Sequence, residues 1–280
     1  MREVLNPALE VPNLTAAVGN LTVAVRHPIG CKSDANANPH RYNSPAAAPT
    51  AAWFSDLKHQ GGRLLHAVAL LLPFAPEIRA AALISPGRRF SEVLIHQGSE
   101  RLRAPLAFLG FRRLTPTDVW VALALVQQLF DGQDPHNFAH LLYRQPLGID
   151  PPQRASLLVV EGLNDSLIPN HATRSWVREL GPVPQLGARG RAIPGFERVE
   201  DAVSGNIDAR TTAAFYQYVP RGVEGAEPTP GCDDPGLAES SAREGHYCAQ
   251  SAEESLRQRV HFFETALGED APEIIDPLTR

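Results

Sequence analysis

Leu157-Leu158-Val159-Val160-Glu161-Gly162-Leu163-Asn164-Asp165 is the stretch whose reading decides the fold. A short apolar run closed by a glycine turn reads as a strand buried on both faces, here Leu157 to Glu161. The turn at its carboxyl end carries Asp165, and Pro169 to Leu180, stopped by Gly181, reads as the helix that follows. Upstream, Ile78 to Ser85 is a second β-type run closed by Pro86-Gly87, and downstream Thr211 to Val219 is a third. Strands that alternate with helices imply an α/β class with a mostly parallel sheet and flanking helices. In such sheets functional groups collect on loops beyond the carboxyl ends of the strands.

Outward from these strands the chain changes character. Residues 1–55 are rich in Ala, Pro and Asn, and only Leu21 to Val25 looks like a strand, so an irregular, poorly ordered head is expected before a folded domain over 56–280. Gly61-Gly62 precedes a helix-like run from Arg63 to Leu72 that Pro73 stops. Residues 88–150 read as mainly helical: Pro116 opens a strongly apolar helix through Phe130, and a second segment, His136 to Tyr143, follows Asp134-Pro135. A loop dense in Gly and Pro fills 220–245. Ala249 to Leu267 then reads as an amphipathic helix with Leu256, Val260, Phe263 and Leu267 on its apolar stripe.

Composition narrows the function classes. At 280 residues, 43% hydrophobic and with a formal net charge of −5, the chain has the core of an ordinary globular protein and no basic stripe for nucleic acid. The longest apolar stretch, around Ala67 to Pro73, is too short to span a bilayer. Glu3, Asn6 and Pro7 stand where a secretory signal needs a continuous apolar core, so a cytoplasmic location is expected by default. Three cysteines are widely spaced. Cys232 and Cys248 can pair across the loop in an oxidising compartment, leaving Cys31 over, and two unrelated thiols are the alternative.

Two islands carry chemistry, in a telling order. Asp165 lies in the loop four residues beyond Glu161, and Gly245-His246-Tyr247-Cys248 follows the strand that ends near Val219. A hydrolase triad needs a buried acid to fix an imidazole's tautomer and a histidine to move the proton between nucleophile and leaving group. The order acid, then histidine, is that of the α/β-hydrolase fold, yet no G-x-S-x-G stands upstream.

The runs Leu157 to Asn170 and Glu244-Gly245-His246-Tyr247-Cys248 resemble the acid and histidine loops of the α/β-hydrolase superfamily, in a bacterial lipase/esterase-like branch. Gln60-Gly61-Gly62 with the helix to Leu72 is similar to the segment after the nucleophile, Ala80 to Ser85 to the next sheet strand, and 88–150 to a helical cap or lid. The resemblance thus covers the second half of such a hydrolase. It implies Asp165 as triad acid, His246 as triad base, the backbone N–H of Gln60 as half an oxyanion hole, and a small-molecule ester or acyl ligand, with no cofactor and no metal. Where the family has Gly-His-Ser-Gln-Gly-Gly, this chain has Leu57-Lys58-His59-Gln60-Gly61-Gly62. His59 therefore occupies the serine's place, and no strand of the required character precedes it.

Simpler readings stand beside these. Gly-Leu-Asn-Asp before Pro169 can be a turn feeding a helix start, Gly245-His246-Tyr247 a plain helix entry, and His59 a surface histidine. Ser55-Asp56-Leu57-Lys58 matches S-x-x-K without the partner elements of penicillin-recognising enzymes. His136 and His140, four apart without an intervening acid, make an incomplete metal site. The Val119 to Phe130 stripe lines an acyl pocket or, by default, packs the lid. Three functions follow: an ester hydrolase with its nucleophile missing, a pseudo-hydrolase that binds small acyl ligands, or the product of a disrupted or frame-shifted gene left with an uncovered sheet edge. The irregular head beside a well-patterned body favours the last as the origin.

Overall fold

The structure, a computed structural model, describes residues 15–18, 21–25, 68–87, 89–96, 115–148, 154–232 and 245–278. Strands β1 (Thr15–Val18), β2 (Leu21–Val25), β3 (Ile78–Ile84), β4 (Ser156–Gly162), β5 (Gln185–Leu186), β6 (Arg198–Val199) and β8 (Ala213–Tyr218) build one sheet in the order β1-β2-β3-β4-β8-β5-β6. From β3 to β6 every neighbouring pair is parallel. The α/β class with a mostly parallel sheet is therefore what the chain forms.

The side-chain period of two divides the core. Ala81, Leu83, Leu157, Val159, Ala213 and Phe215 face one way and pack with Trp176, Val177 and Leu180. Ala80, Ala82, Ile84, Leu158, Val160, Tyr216 and Tyr218 face the other and pack with Phe262, Phe263 and Ala266. Leu157, Leu158, Val159 and Val160 are wholly buried, as a central parallel strand demands, each worth about 1.5–3 kcal/mol. The helices that supply those faces are α4 (Asn170–Leu180) on the first and α6 (Glu253–Ala266) on the second, joined there by the short α5 (Gly245–Ser251). A second, two-stranded sheet pairs β7 (Val203–Ser204) with β9 (Glu273–Ile274) and fastens the C-terminal segment.

Several expectations need correction. The edge of β3 is not open: β2, the strand expected at Leu21 to Val25, pairs with it antiparallel, and β1 extends the hairpin. Such pairing satisfies backbone groups that an exposed edge would present. The rest of the head, the run 56–67 and the 97–114 stretch lie outside the described residues.

The terminal helix breaks at Ala252, and of its expected apolar stripe Phe263 is buried while the other three positions are exposed. Ser255, Gln258, Arg259, Phe262 and Phe263 point inward, whereas Leu256, Val260 and Leu267 are 55%, 45% and 42% exposed. The sheet decides this, because the buried Tyr218 hydroxyl requires a partner and donates to Gln258 Oε1 at 3.1 Å, while Gln258 Nε2 donates to the Ile275 carbonyl.

The region read as a lid has α1 (Phe90–His96), α2 (Pro116–Phe130) and α3 (His140–Tyr143). Thr115 and Asp118 cap α2 reciprocally. Val121, Leu125 and Leu129 are more than half exposed, so the stripe does not pack into the core as expected, and among the described side chains of this helix Leu123 is the buried one. Gln127 fixes α2 to α1 through Ser91 and to the loop through Asp131 and Asp134. His136 sits in a 3-10 turn (Pro135–Phe138) ahead of α3, so it and His140 do not share one helix face.

Candidate active site

Two glycines set the geometry at the carboxyl edge of the sheet. A Cβ on Gly162, the last residue of β4, would lie 1.7 Å from the Gly245 carbonyl oxygen, and a Cβ on Gly245 would lie 2.0 Å from that of Leu163. The strand end and the start of α5 therefore touch backbone to backbone, and no side chain fits between them. Beyond Gly162 the chain turns through Asn164 at φ 58°, a left-handed conformation that Asn tolerates. Asn170, the first residue of α4, clamps this turn: Oδ1 accepts from Asn164 N at 3.1 Å and Nδ2 donates to the Gly162 carbonyl at 2.7 Å.

The turn and the acid are one device. Asp165 Oδ1 accepts the backbone N–H groups of Leu167 at 2.8 Å and Ile168 at 2.7 Å, and Oδ2 lies 2.9 Å from His246 Nδ1. The reading of this segment as a plain turn and the reading as an acid position describe different oxygens of the same side chain. Both partners are buried, Asp165 at 2% and His246 at 7% exposure. Burial acts to raise the Asp165 carboxyl, but the hydrogen bond and charge of His246, the Ile168 N–H and the neighbouring Ser85 hydroxyl outweigh it and hold the carboxyl below its ordinary range. An ionised carboxylate only accepts, so Nδ1 carries the proton, which leaves Nε2 as the basic nitrogen. This arrangement can take up a proton at Nε2 and support the resulting imidazolium.

His246 is not on a loop, as its sequence position suggested, but is the second residue of α5. Its helix is tethered to the end of β8 by the disulfide Cys232–Cys248, whose Cα atoms are 4.9 Å apart. The far side of that bond is anchored in turn, since Cys232 N donates to Thr229 O, Thr229 N to Val219 O, and Val219 N to Thr229 Oγ1. On the acid's other flank, His96 of α1 donates from Nε2 to the Asp165 carbonyl at 2.9 Å. No sequence signal marked His96, because its partner is a backbone atom 69 positions away. His59 and Gln60, the expected nucleophile position and oxyanion donor, lie outside the described residues.

No family model, curated protein or solved structure matches this chain. The site must therefore be judged on its own geometry. Among the described residues no helix is long and apolar enough to cross a membrane, and no cluster of three or more His, Cys, Asp or Glu side chains is placed to hold a metal. A cleft of about 690 Å³ lies between the 188–192 and 224–227 loops and includes neither Asp165 nor His246.

Glu161, read only as the end of a strand, is the centre of a buried polar chain across three strands. Its Oε1 accepts from Arg174 Nε at 2.9 Å and from Gln217 Nε2 at 2.6 Å, and Gln217 Oε1 accepts from Gln185 at 3.0 Å. Its Oε2 is buried without a hydrogen bond. Burial pushes this carboxyl up to about 7, against the attraction of Arg174 and the hydrogen bonds to it. The folded state thus holds a proton there that the unfolded state has released, so stability contributed by this group is present below the unfolded value and lost as pH rises through about 7. We expect Glu161→Gln to remove a loss on the order of 3 kcal/mol between pH 4.5 and 8. Denaturant titrations across that range check it, and equal slopes in both proteins would contradict it.

Proposed function

We propose that this chain carries the acid and base of a serine-type carboxylic ester hydrolase of the α/β-hydrolase superfamily, with Asp165 as acid, His246 as base and the catalytic serine replaced by His59. The observation that supports this reading is the buried 2.9 Å contact between Asp165 Oδ2 and His246 Nδ1 at the carboxyl edge of a parallel sheet. Acid and histidine follow their strands in the chain order that acyl transfer uses in that fold. The sheet, with the region 88–150 inserted between β3 and β4, is read as the second half of that fold, and the backbone N–H of Gln60 as one oxyanion donor. An imidazole at position 59 forms a labile acyl adduct and competes with His246 for the acid, so the chain is impaired as encoded. The pseudo-hydrolase reading, a pocket that retains small acyl ligands without turnover, is favoured by the same substitution at 59.

The test is hydrolysis of a short-chain nitrophenyl ester by the full chain and by His246→Ala. Equal, background rates are expected, because His246 has no serine proton to take. Robust turnover that disappears in His246→Ala would overturn the missing-nucleophile account and require another nucleophile.

A further inference from the structure

The cleft between the 188–192 and 224–227 loops opens beyond the carboxyl ends of β5 and β8, where ligands of parallel sheets collect. Its volume of about 690 Å³ is that of a small-molecule site. The walls are charged. Arg189, Arg191 and Arg198 line it against Glu224 and Glu227, a local excess of positive charge in a chain whose formal net charge is −5.

Buried groups shape the 188–192 wall. Gln185 of β5 accepts the Ile193 N–H at 3.2 Å through Oε1 and donates from Nε2 to the Arg191 carbonyl at 2.8 Å, so one buried amide clamps the loop at two points. The same Nε2 donates to Gln217 Oε1 at 3.0 Å, and a Cβ on Gly190 would lie 2.3 Å from that oxygen. The loop backbone therefore rests on the buried Gln217 side chain. Arg198 completes the wall by donating from Nε to the Gly187 carbonyl at 2.9 Å and from Nη2 to those of Ala188 and Gly190. On the opposite wall Ala226 packs against the small apolar cluster of Leu163, Val219 and Val223, which ties the cleft to the turn that carries Asp165. A loop held in this way is set before a ligand arrives, which lowers the cost of binding.

The three guanidinium groups differ in their partners. Arg189 pairs with Glu227 at 2.7 Å, but the Glu227 side chain is 68% exposed, so this is a solvent-screened rim pair. Arg191 donates from Nη2 to the Glu224 carbonyl at 2.6 Å, and Arg198 to the three carbonyls of its own wall. Among the described residues neither has a carboxylate partner, and each keeps its Nη1 donors for another acceptor. Planar guanidinium groups with donors to spare match the oxygens of carboxylate and phosphate.

We propose that this cleft is a binding site for a small molecule that bears a carboxylate or phosphate group, held by the guanidinium groups of Arg191 and Arg198. A merely solvated basic face needs no buried amides to fix its loop. The proposal goes beyond the acid–base reading of Asp165 and His246, and its test is binding, so ester turnover reports on that reading alone.

The experiment titrates inorganic phosphate and, separately, tricarballylate into the full chain at low ionic strength, where screening is weakest. Backbone amide resonances of 187–192 give the affinity, beside those of Arg191→Gln, Arg198→Gln and Arg210→Gln. Arg210, exposed ahead of β8 at the other end of the sheet, is the control. The expected result is saturable binding of at least one probe, weakened about tenfold or more in each of the first two variants and unchanged in the third. Whichever probe binds tighter identifies the ligand group as phosphoryl or carboxylate. Absence of saturable binding of both probes overturns the proposal. So does binding that Arg191→Gln or Arg198→Gln leaves intact, or that Arg210→Gln weakens as much. Arg191 is exposed and makes one backbone contact, so Arg191→Gln decides the matter if Arg198→Gln fails to fold.

Discussion

Gly162→Ala is expected to unfold or severely weaken the protein, by about 3 kcal/mol or more, and to abolish the Asp165–His246 contact in whatever remains folded. The added methyl would stand 1.7 Å from the Gly245 carbonyl oxygen, and both sides of that contact are backbone, so neither can swing away as a flexible side chain would. Relief requires α5 to back off from β4, which moves His246 away from the acid. Gly245→Ala meets Leu163 O at 2.0 Å and should behave alike. Alanine at Gly132, where nothing lies within 4 Å, is the control and should cost nothing of this size. Denaturant unfolding of the three variants checks the ranking, and a Gly162→Ala protein as stable as the control would contradict the backbone packing described.

Breaking the Cys232–Cys248 bridge is expected to cost about 3 kcal/mol, the loop-closure value for a link of this span, 16 residues apart. The loss should fall on the histidine first, because Cys248 lies two residues beyond His246 on a helix of only 7 residues. Both sulfurs are buried, so native reduction should be slow, and the Cys232→Ser, Cys248→Ser double variant is the cleaner comparison. Its unfolding midpoint should match that of the reduced chain and stay unchanged on adding a thiol reductant. Equal stability of the oxidised parent and the double variant would remove the bridge from the account. A bond of this kind also fits an oxidising compartment better than the cytoplasm expected by default.

The central strand, the turn after it and the acid–histidine pairing were legible because each leaves a local mark: an apolar run, a glycine, a fixed chain order. β4 runs from Ser156 to Gly162 and α4 from Asn170 to Leu180, close to the expected bounds. β5 and β6 were not legible, being two residues each, Gln185–Leu186 and Arg198–Val199, and held by pairing rather than by pattern. The apolar stripe of the last helix misled for a different reason. Leu256 and Val260 have the right spacing, but Tyr218 and Phe262 determine which face turns inward, and that is settled between elements far apart in sequence. His96 and Glu161 bond to partners far away in sequence, the Asp165 carbonyl and the Gln217 side chain, so no window of sequence around them carries the signal.

The measurement that tests the central claim most directly is the ¹⁵N-resolved imidazole spectrum of His246 in the full chain, beside that of Asp165→Ala. The account predicts a protonated Nδ1 in the parent, its proton shifted downfield by the bond to Asp165 Oδ2, and loss of that resonance in Asp165→Ala. A parent spectrum in which Nδ1 bears no proton, or one that Asp165→Ala leaves unchanged, would contradict it.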